Sequence, residues 1–166
     1  RLENPDLTVR FLTGDKLLRL EYGEAHVAVR AGQAPRQPDN VVQPFTSQSM
    51  HLVASPAYVE VFGLPNGVDD FLNHWFVGHT DLENRAPFMR WMKDSVPTNR
   101  IAFRTADNRA AMDAVQAGVG IGFVTTWNWR QNPEWVEVIE SREEWSAPIW
   151  LVTHVDLHRT TKVQTF

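Results

Sequence analysis

The stretch from Arg104 to Val124 restricts the fold more than any other part of the chain. Ile101 to Thr105 is a short run of strand type, and Asn108 to Ala117 is rich in helix formers. Within it, Ala111, Met112, Ala114, Val115 and Gly118 recur at the three- and four-residue spacing that lays one apolar stripe along a helix. Gly118 stands where a helix needs a left-handed stop. Gly120 and Gly122 flank Ile121, and Phe123-Val124 resumes an apolar run short enough for a buried strand. The predicted unit is strand, helix, strand. Its turn into the helix carries Thr105, Asp107 and Asn108, at a place where open parallel sheets hold ligands against free backbone amides. The same residues also read as a plain helix N-cap supplied by Asp107 or Asn108.

A chain of 166 residues suffices for one domain or two small lobes with a real core. Hydrophobic residues at 43% and charged residues at 22% are ordinary for a soluble globular protein. No apolar run approaches the roughly 18 residues of a membrane span. The absence of cysteine excludes disulfides and thiol chemistry and favours a reducing compartment. A formal charge of -4 without a basic tract argues against gripping nucleic acid. There is no signal-peptide pattern, and Arg1 to Leu7 read as the middle of a fold.

In chain order, Leu7 to Leu12 alternates as a half-buried strand does, and Asp15 is placed to cap a short helix through Leu20 that stops at Gly23. His26 to Arg30, Val41 to Phe45 and Met50 to Ala54 read as strands. Gln33 to Asn40, with Pro35 and Pro38, reads as a loop. Ser55-Pro56 opens a helix that ends at Gly63, and Val68 to Asn73 reads as another short helix. Trp75 to Val77 is a strand, and Arg85 to Val96 a helix with Phe88, Met89, Trp91 and Met92 on one face. Those rings read as core rather than as a cofactor cage. A brief helix from Thr126 to Gln131, a strand from Trp135 to Ile139, a solvated loop from Ser141 to Ser146 and a strand from Ile149 to Thr153 complete the chain. The alternation predicts an α/β fold with mostly parallel sheets, divided between two small sheets.

No nucleophile elbow, phosphate loop or usefully spaced carboxylate pair is present, so the sequence offers no constellation for an enzyme. His74 and His79 lie five residues apart without the carboxylate pattern of a metal site and read as solvated or core histidines. No cofactor is expected.

Taken in order, Pro5-Asp-Leu-Thr-Val-Arg-Phe-Leu-Thr-Gly14, Gly23-Glu-Ala-His-Val-Ala-Val-Arg-Ala-Gly32, Leu52-Val-Ala-Ser-Pro-Ala-Tyr58, Gly63-Leu-Pro65, Ala114-Val-Gln-Ala-Gly-Val-Gly-Ile-Gly122 and Pro148-Ile-Trp-Leu-Val-Thr-His154 form a pattern, which Leu157-His-Arg-Thr160 extends. The pattern resembles the effector-binding, or substrate-binding, domain of LysR-type transcriptional regulators along essentially the whole chain. The resemblance implies a two-lobed, periplasmic-binding-protein-like (type II) α/β fold, truncated at its N-terminus. One lobe would comprise residues 1–47 and 149–166, the other residues 48–148. The family's winged helix-turn-helix, its linker helix and the sensor's first strand and helix are missing, and the last helix is cut near Phe166. His26 stands where the family commonly has an aspartate.

By this resemblance the chain would sense a small organic metabolite, with a carboxylate as the expected group, for a bacterial, cytoplasmic regulator. The full-length protein would be a homodimer or homotetramer and would touch DNA only through the missing winged helix-turn-helix; no membrane is involved. Residue by residue, the ligand-binding candidates are Thr13, Gly14, Thr105, Asp107 and Phe123. Arg30 joins them, because a guanidinium at a strand end can take a carboxylate through two parallel hydrogen bonds; its other reading is a structural ion pair. His79, just after a strand, is a further candidate. A transport-type solute-binding protein and a small α/β enzyme are the alternative classes.

Overall fold

The computed structural model describes residues 7–14 and 17–164. Its regular elements are, in order, β1 (Ala28–Ala31), β2 (Asn40–Gln48), β3 (Met50–Ala54), α1 (Pro56–Phe62), β4 (Phe76–Gly78), α2 (Pro87–Ser95), β5 (Ile101–Arg104), α3 (Asn108–Gln116), β6 (Gly122–Thr125), α4 (Thr126–Gln131), β7 (Val136–Ile139), β8 (Ala147–His154), α5 (Val155–His158) and α6 (Thr161–Gln164). They fall into two compact units, residues 1–47 with 147–166, and residues 48–146.

The first unit is built on a three-stranded sheet in the order β1-β8-β2. Strand β8 comes from the far end of the chain and runs antiparallel to β1, with Ala28 opposite Val152 and Arg30 opposite Trp150. Trp150 donates its indole N–H to the Gly32 carbonyl at 2.8 Å, which ties the strand to the turn after β1. The helix expected after Asp15 is reduced to one 3-10 turn, Leu20–Tyr22, closed by Gly23 at φ 69°; Asp15 itself lies outside the described residues. Leu7 to Leu12 is not a strand. A strand exists only through its ladder partners, and this segment has none among the described residues, so Val9, Phe11 and Leu12 stay exposed despite the alternating pattern.

The second unit carries the larger core. Strand β3 lies between β6 and β7 and is antiparallel to both. Strands β4 and β5 are parallel. The two sheets meet at Ile121, just before β6, which bridges Phe76 in parallel fashion and exchanges 2.8 Å backbone bonds with Trp75 and Val77. The strand order across the unit is therefore β5-β4-β6-β3-β7. The strand pairings β1-β8, β3-β6 and β3-β7 are antiparallel and only β4-β5 is parallel among those described, contrary to the expectation of mostly parallel sheets. Alternating strands and helices establish layering, whereas strand direction is decided by which distant strands meet.

The unit β5-α3-β6 forms as its spacing predicts. Ala114 and Val115 are buried, and Gly118 adopts φ 76° to end the helix. Gly120 allows the closest approach, since a Cβ there would stand 2.8–2.9 Å from the Phe76 backbone. Above the sheet, Phe88, Trp91, Phe123 and Trp145 make an edge-to-face cluster, with Trp145 4.9 Å from Phe123 and 5.0 Å from Trp91, centre to centre. Arg142 lies over Trp91 and Trp145 at 5.3 and 5.5 Å. The solvated loop expected at Ser141 to Ser146 thus contains one of the most deeply buried side chains, Trp145 at 1% exposure. Its charged neighbours Arg142, Glu143 and Glu144 face outward and hide that anchor in the sequence.

Tyr58 organises the opposite side. Burial pushes its phenol up from the ordinary value, with the Trp75 amide working the other way, so the hydroxyl keeps its hydrogen. It accepts from Trp75 N–H at 2.9 Å and donates to His74 Nδ1 at 3.0 Å, which makes His74 a core histidine. Ser55 occupies the N-cap position of α1 but makes no capping bond; its hydroxyl is buried without a partner among the described atoms.

Replacing Trp145 by alanine should cost about 3–5 kcal/mol in urea denaturation, as for other buried aromatics. Trp145→Phe, which keeps a ring and removes an indole N–H that has no partner among the described residues, should cost less. A solvated loop residue would give changes within about 0.5 kcal/mol for both.

Candidate functional site

Strands β4 and β5 end side by side, and the loops that leave their C-terminal edge carry the polar groups that sequence alone singled out in this unit. The Thr105 amide donates to the Gly78 carbonyl at 3.1 Å and holds the two strand ends together. Thr105 Oγ1 accepts from the Asp107 amide at 3.0 Å. Asp107 is the N-cap of α3: its Oδ1 accepts from Arg109 N–H at 2.7 Å and from Ala110 N–H at 3.1 Å. The carboxylate therefore already occupies the positive end of this helix and would repel an anion placed there. Of the two readings left open by the sequence, the cap is the one observed, and Asp107 rather than Asn108 supplies it.

His79 follows β4 directly. Its Nδ1 accepts from the Asp81 amide at 2.9 Å, so the neutral ring carries its hydrogen on Nε2. Arg104, the last residue of β5, reaches back with Nη1 3.3 Å from the His79 carbonyl and Nη2 3.5 Å from that of Thr98. No carboxylate pairs with Arg104 among the described residues. Lys93, by contrast, is engaged: Glu83 bonds it at 2.9 Å and raises its pKa through that hydrogen bond and its charge. Together His79, Asn84, Lys93, Thr98 and Arg104 give a polar lining to a cavity of about 50 Å³ whose floor is Met92, Val96 and Ile101. That volume holds a few waters, not a metabolite.

The structure thus brings His79, Thr105 and Asp107 together on one edge and adds Arg104, which the sequence reading missed. Phe123 lies inside the aromatic core, 7% exposed. Thr13, Gly14 and Arg30 belong to the other unit. Thr13 and Gly14 are exposed. Arg30 is half-buried, with Nη2 3.3 Å from the Leu18 carbonyl, and it makes no ion pair among the described residues. It borders an open concavity with Leu17, Gln33, Pro35 and Arg36. Among the described residues no group of three or more His, Asp or Glu side chains could hold a metal ion, and no helix is long and apolar enough to cross a membrane.

A two-unit α/β chain whose last strand returns to the first unit has the layout of a type II periplasmic-binding-protein-like fold. The family model for the LysR substrate binding domain matches residues 1–166. The chain belongs to that family. None of the curated proteins compared matches it. Among solved structures, the CrgA regulatory domain of Neisseria meningitidis, a LysR-type transcriptional regulator, is similar at TM-score 0.75 and 15% identity, over 92% of this chain and 77% of that one. The AmpR effector binding domain of Citrobacter freundii is similar at 0.70 and 13%, over 98% and 81%. Full-length AphB, a Vibrio cholerae virulence activator, is similar at 0.71 and 19%; 98% of this chain spans 57% of that protein. At these identities the likeness shows the fold. Family membership rests on the match along the whole chain.

The cap can be tested by substitution. Asp107→Ala should lower stability by about 0.5–2 kcal/mol in thermal or urea unfolding, and Asp107→Asn, an equally good cap, should stay close to wild type.

Proposed function

We propose that the chain senses a small organic effector on behalf of a DNA-binding LysR-type regulator, and that Arg104 and Thr105 recognise a carboxylate on it. The observation that carries this reading is a half-buried guanidinium at a strand end, bonded only to two carbonyls at 3.3 and 3.5 Å and paired with no acid among the described residues. Such a group has donors to spare for a planar anion. Because Asp107 takes the amides of α3, the anion is recognised by Arg104 and the Thr105 hydroxyl rather than by the helix end. Thr13 and Gly14 remain candidates carried by the family resemblance, Arg30 one carried by its guanidinium at a strand end, and His79 one carried by its place after β4. A ligand with an amine or hydroxyl in place of the carboxylate would instead be held by Asp107.

In this reading the regulator is cytoplasmic, assembles as a dimer or tetramer, and contacts DNA through a domain outside this chain. With a net charge of -4 the chain has little counterion release to offer, so it should not shift DNA at physiological salt. Specific DNA binding by these residues alone would overturn the proposal.

The effector arm is tested by calorimetric screening of small carboxylates, amines and polyols against the chain and its variants. For a bound carboxylate, Arg104→Gln should weaken affinity by tenfold or more, on the order of 1.5–3 kcal/mol for a charged hydrogen bond. Thr105→Val should weaken it less, and Asp107→Ala should leave it unchanged or tighter. Unchanged affinity in both Arg104→Gln and Thr105→Val would contradict the assignment.

A further inference from the structure

The chain passes between its two units twice, at residues 47–48 and again at 146–147. On the second unit's side, both passages are tied into one polar network centred on His51. Ser49 Oγ and Ser146 Oγ lie 2.7 Å apart, joining the two passages directly. The Ser49 carbonyl accepts from Thr126 N–H at 3.0 Å and lies 3.1 Å from Thr126 Oγ1. Thr126 Oγ1 is 3.0 Å from His51 Nε2, and His51 Nδ1 is 2.6 Å from Glu137 Oε1. Trp129 stacks on the imidazole at 4.2 Å, and His51 is 8% exposed. From the far side, Ser141 donates its amide to Glu137 Oε1 at 3.1 Å and its hydroxyl to the Met50 carbonyl at 2.8 Å.

Counting hydrogens decides the protonation state that this geometry requires. Three links run in series: Glu137 to His51, His51 to Thr126, and Thr126 to the Ser49 carbonyl. Each needs one hydrogen, and the terminal carbonyl can only accept. A neutral imidazole and one hydroxyl bring two hydrogens. A histidine-carboxylate pair holding one further proton brings the third, and then every contact is satisfied. If that proton is lost, Nδ1 keeps its hydrogen for Glu137 and Nε2 takes the hydroxyl hydrogen of Thr126. Thr126 Oγ1 and the Ser49 carbonyl are then two acceptors facing each other at 3.1 Å.

We propose that His51 and Glu137 form a proton-operated clasp within the second unit, on the turn from β2 into β3. With the shared proton present, the clasp closes onto Ser49; with it absent, the Thr126-to-Ser49 side-chain bond opens and the turn from β2 into β3 loosens. Histidine is the residue type whose charge changes between about pH 5 and 8. Among the described residues, Glu137 of β7 is the one ionisable partner bonded to the ring. Strand β6 places Val124 opposite His51. From α4 the ring meets Thr126 and Trp129, while Arg130 is exposed. The charges of α3, Arg109 and Asp113, pair with each other on the exposed face. The clasp is not visible in the sequence, because His51 lies 75 and 86 residues from Thr126 and Glu137. The inference does not depend on which effector is bound.

Nuclear magnetic resonance on the whole chain tests it. Between pH 5 and 9, the His51 ring nitrogens should both carry hydrogen at the acid end and lose one as pH rises. The Ser49 carbonyl carbon should shift with the same midpoint. In Thr126→Val the ring should still titrate while the Ser49 carbonyl shift no longer follows it, and Thr126→Ser, which restores the hydroxyl, should restore the coupling. The urea midpoint of wild type should fall with rising pH across that midpoint, and the fall should be smaller in Thr126→Val. A single neutral tautomer of His51 throughout this range, or a Ser49 carbonyl that titrates equally in Thr126→Val, would overturn the proposal.

Discussion

The second unit depends on the backbone contact between Gly120 and Phe76. With a Cβ at Gly120 only 2.8 Å from the Phe76 carbonyl carbon, any side chain would push β4 away from Ile121. The bonds from Ile121 to Trp75 and Val77 would be lost with it, and these join the parallel β4-β5 pair to the antiparallel sheet. The start of α3 is set by the Asp107 cap. Gly118 sets where it ends. Next to it, Gly122 brings β6 onto Val115, where a Cβ would meet Val115 Cγ2 at 2.6 Å.

The chemistry of the β4-β5 edge follows from that placement. A helix start at a strand end is normally a place for an anion, but here a carboxylate of the chain itself is the cap. What remains for a ligand is a guanidinium held loosely by two carbonyls and a hydroxyl already accepting from the Asp107 amide. Under the proposed function, selectivity lies in the balance between Arg104, which favours negative charge, and Asp107, which opposes it close by in sequence. Such a pair suits a ligand that carries both a carboxylate and a hydrogen-bond donor.

Much of this was legible in the sequence, wherever the signal was local. Gly118 marks the end of α3 because one residue's conformation decides it, and the spacing of Ala111, Ala114 and Val115 gives the buried face. The ordered motifs gave the family. Leu7 to Leu12 was misread because alternation describes a strand's faces and not its partner. Trp145 was hidden by three charged neighbours, and strand direction could not be read because β3 meets β6 and β7 from far along the chain. At the site, Thr105 and Asp107 were visible as turn residues. Arg104 reads in the sequence only as part of a short strand-type run, and Phe123, a ligand-binding candidate there, packs against Phe88 and Trp145.

In the proposed function, Arg104 and Thr105 recognise the anionic group of the effector. The most direct measurement is a nuclear magnetic resonance titration of the isotopically labelled chain with a carboxylate found to bind it, following backbone amides together with the Arg104 Nε–H. The largest shifts should fall on Arg104 Nε–H, Thr105 and His79, with the Arg109 and Ala110 amides little changed because Asp107 keeps them. Shifts concentrated around Arg30 and Arg36, with none at Arg104, would contradict the proposal.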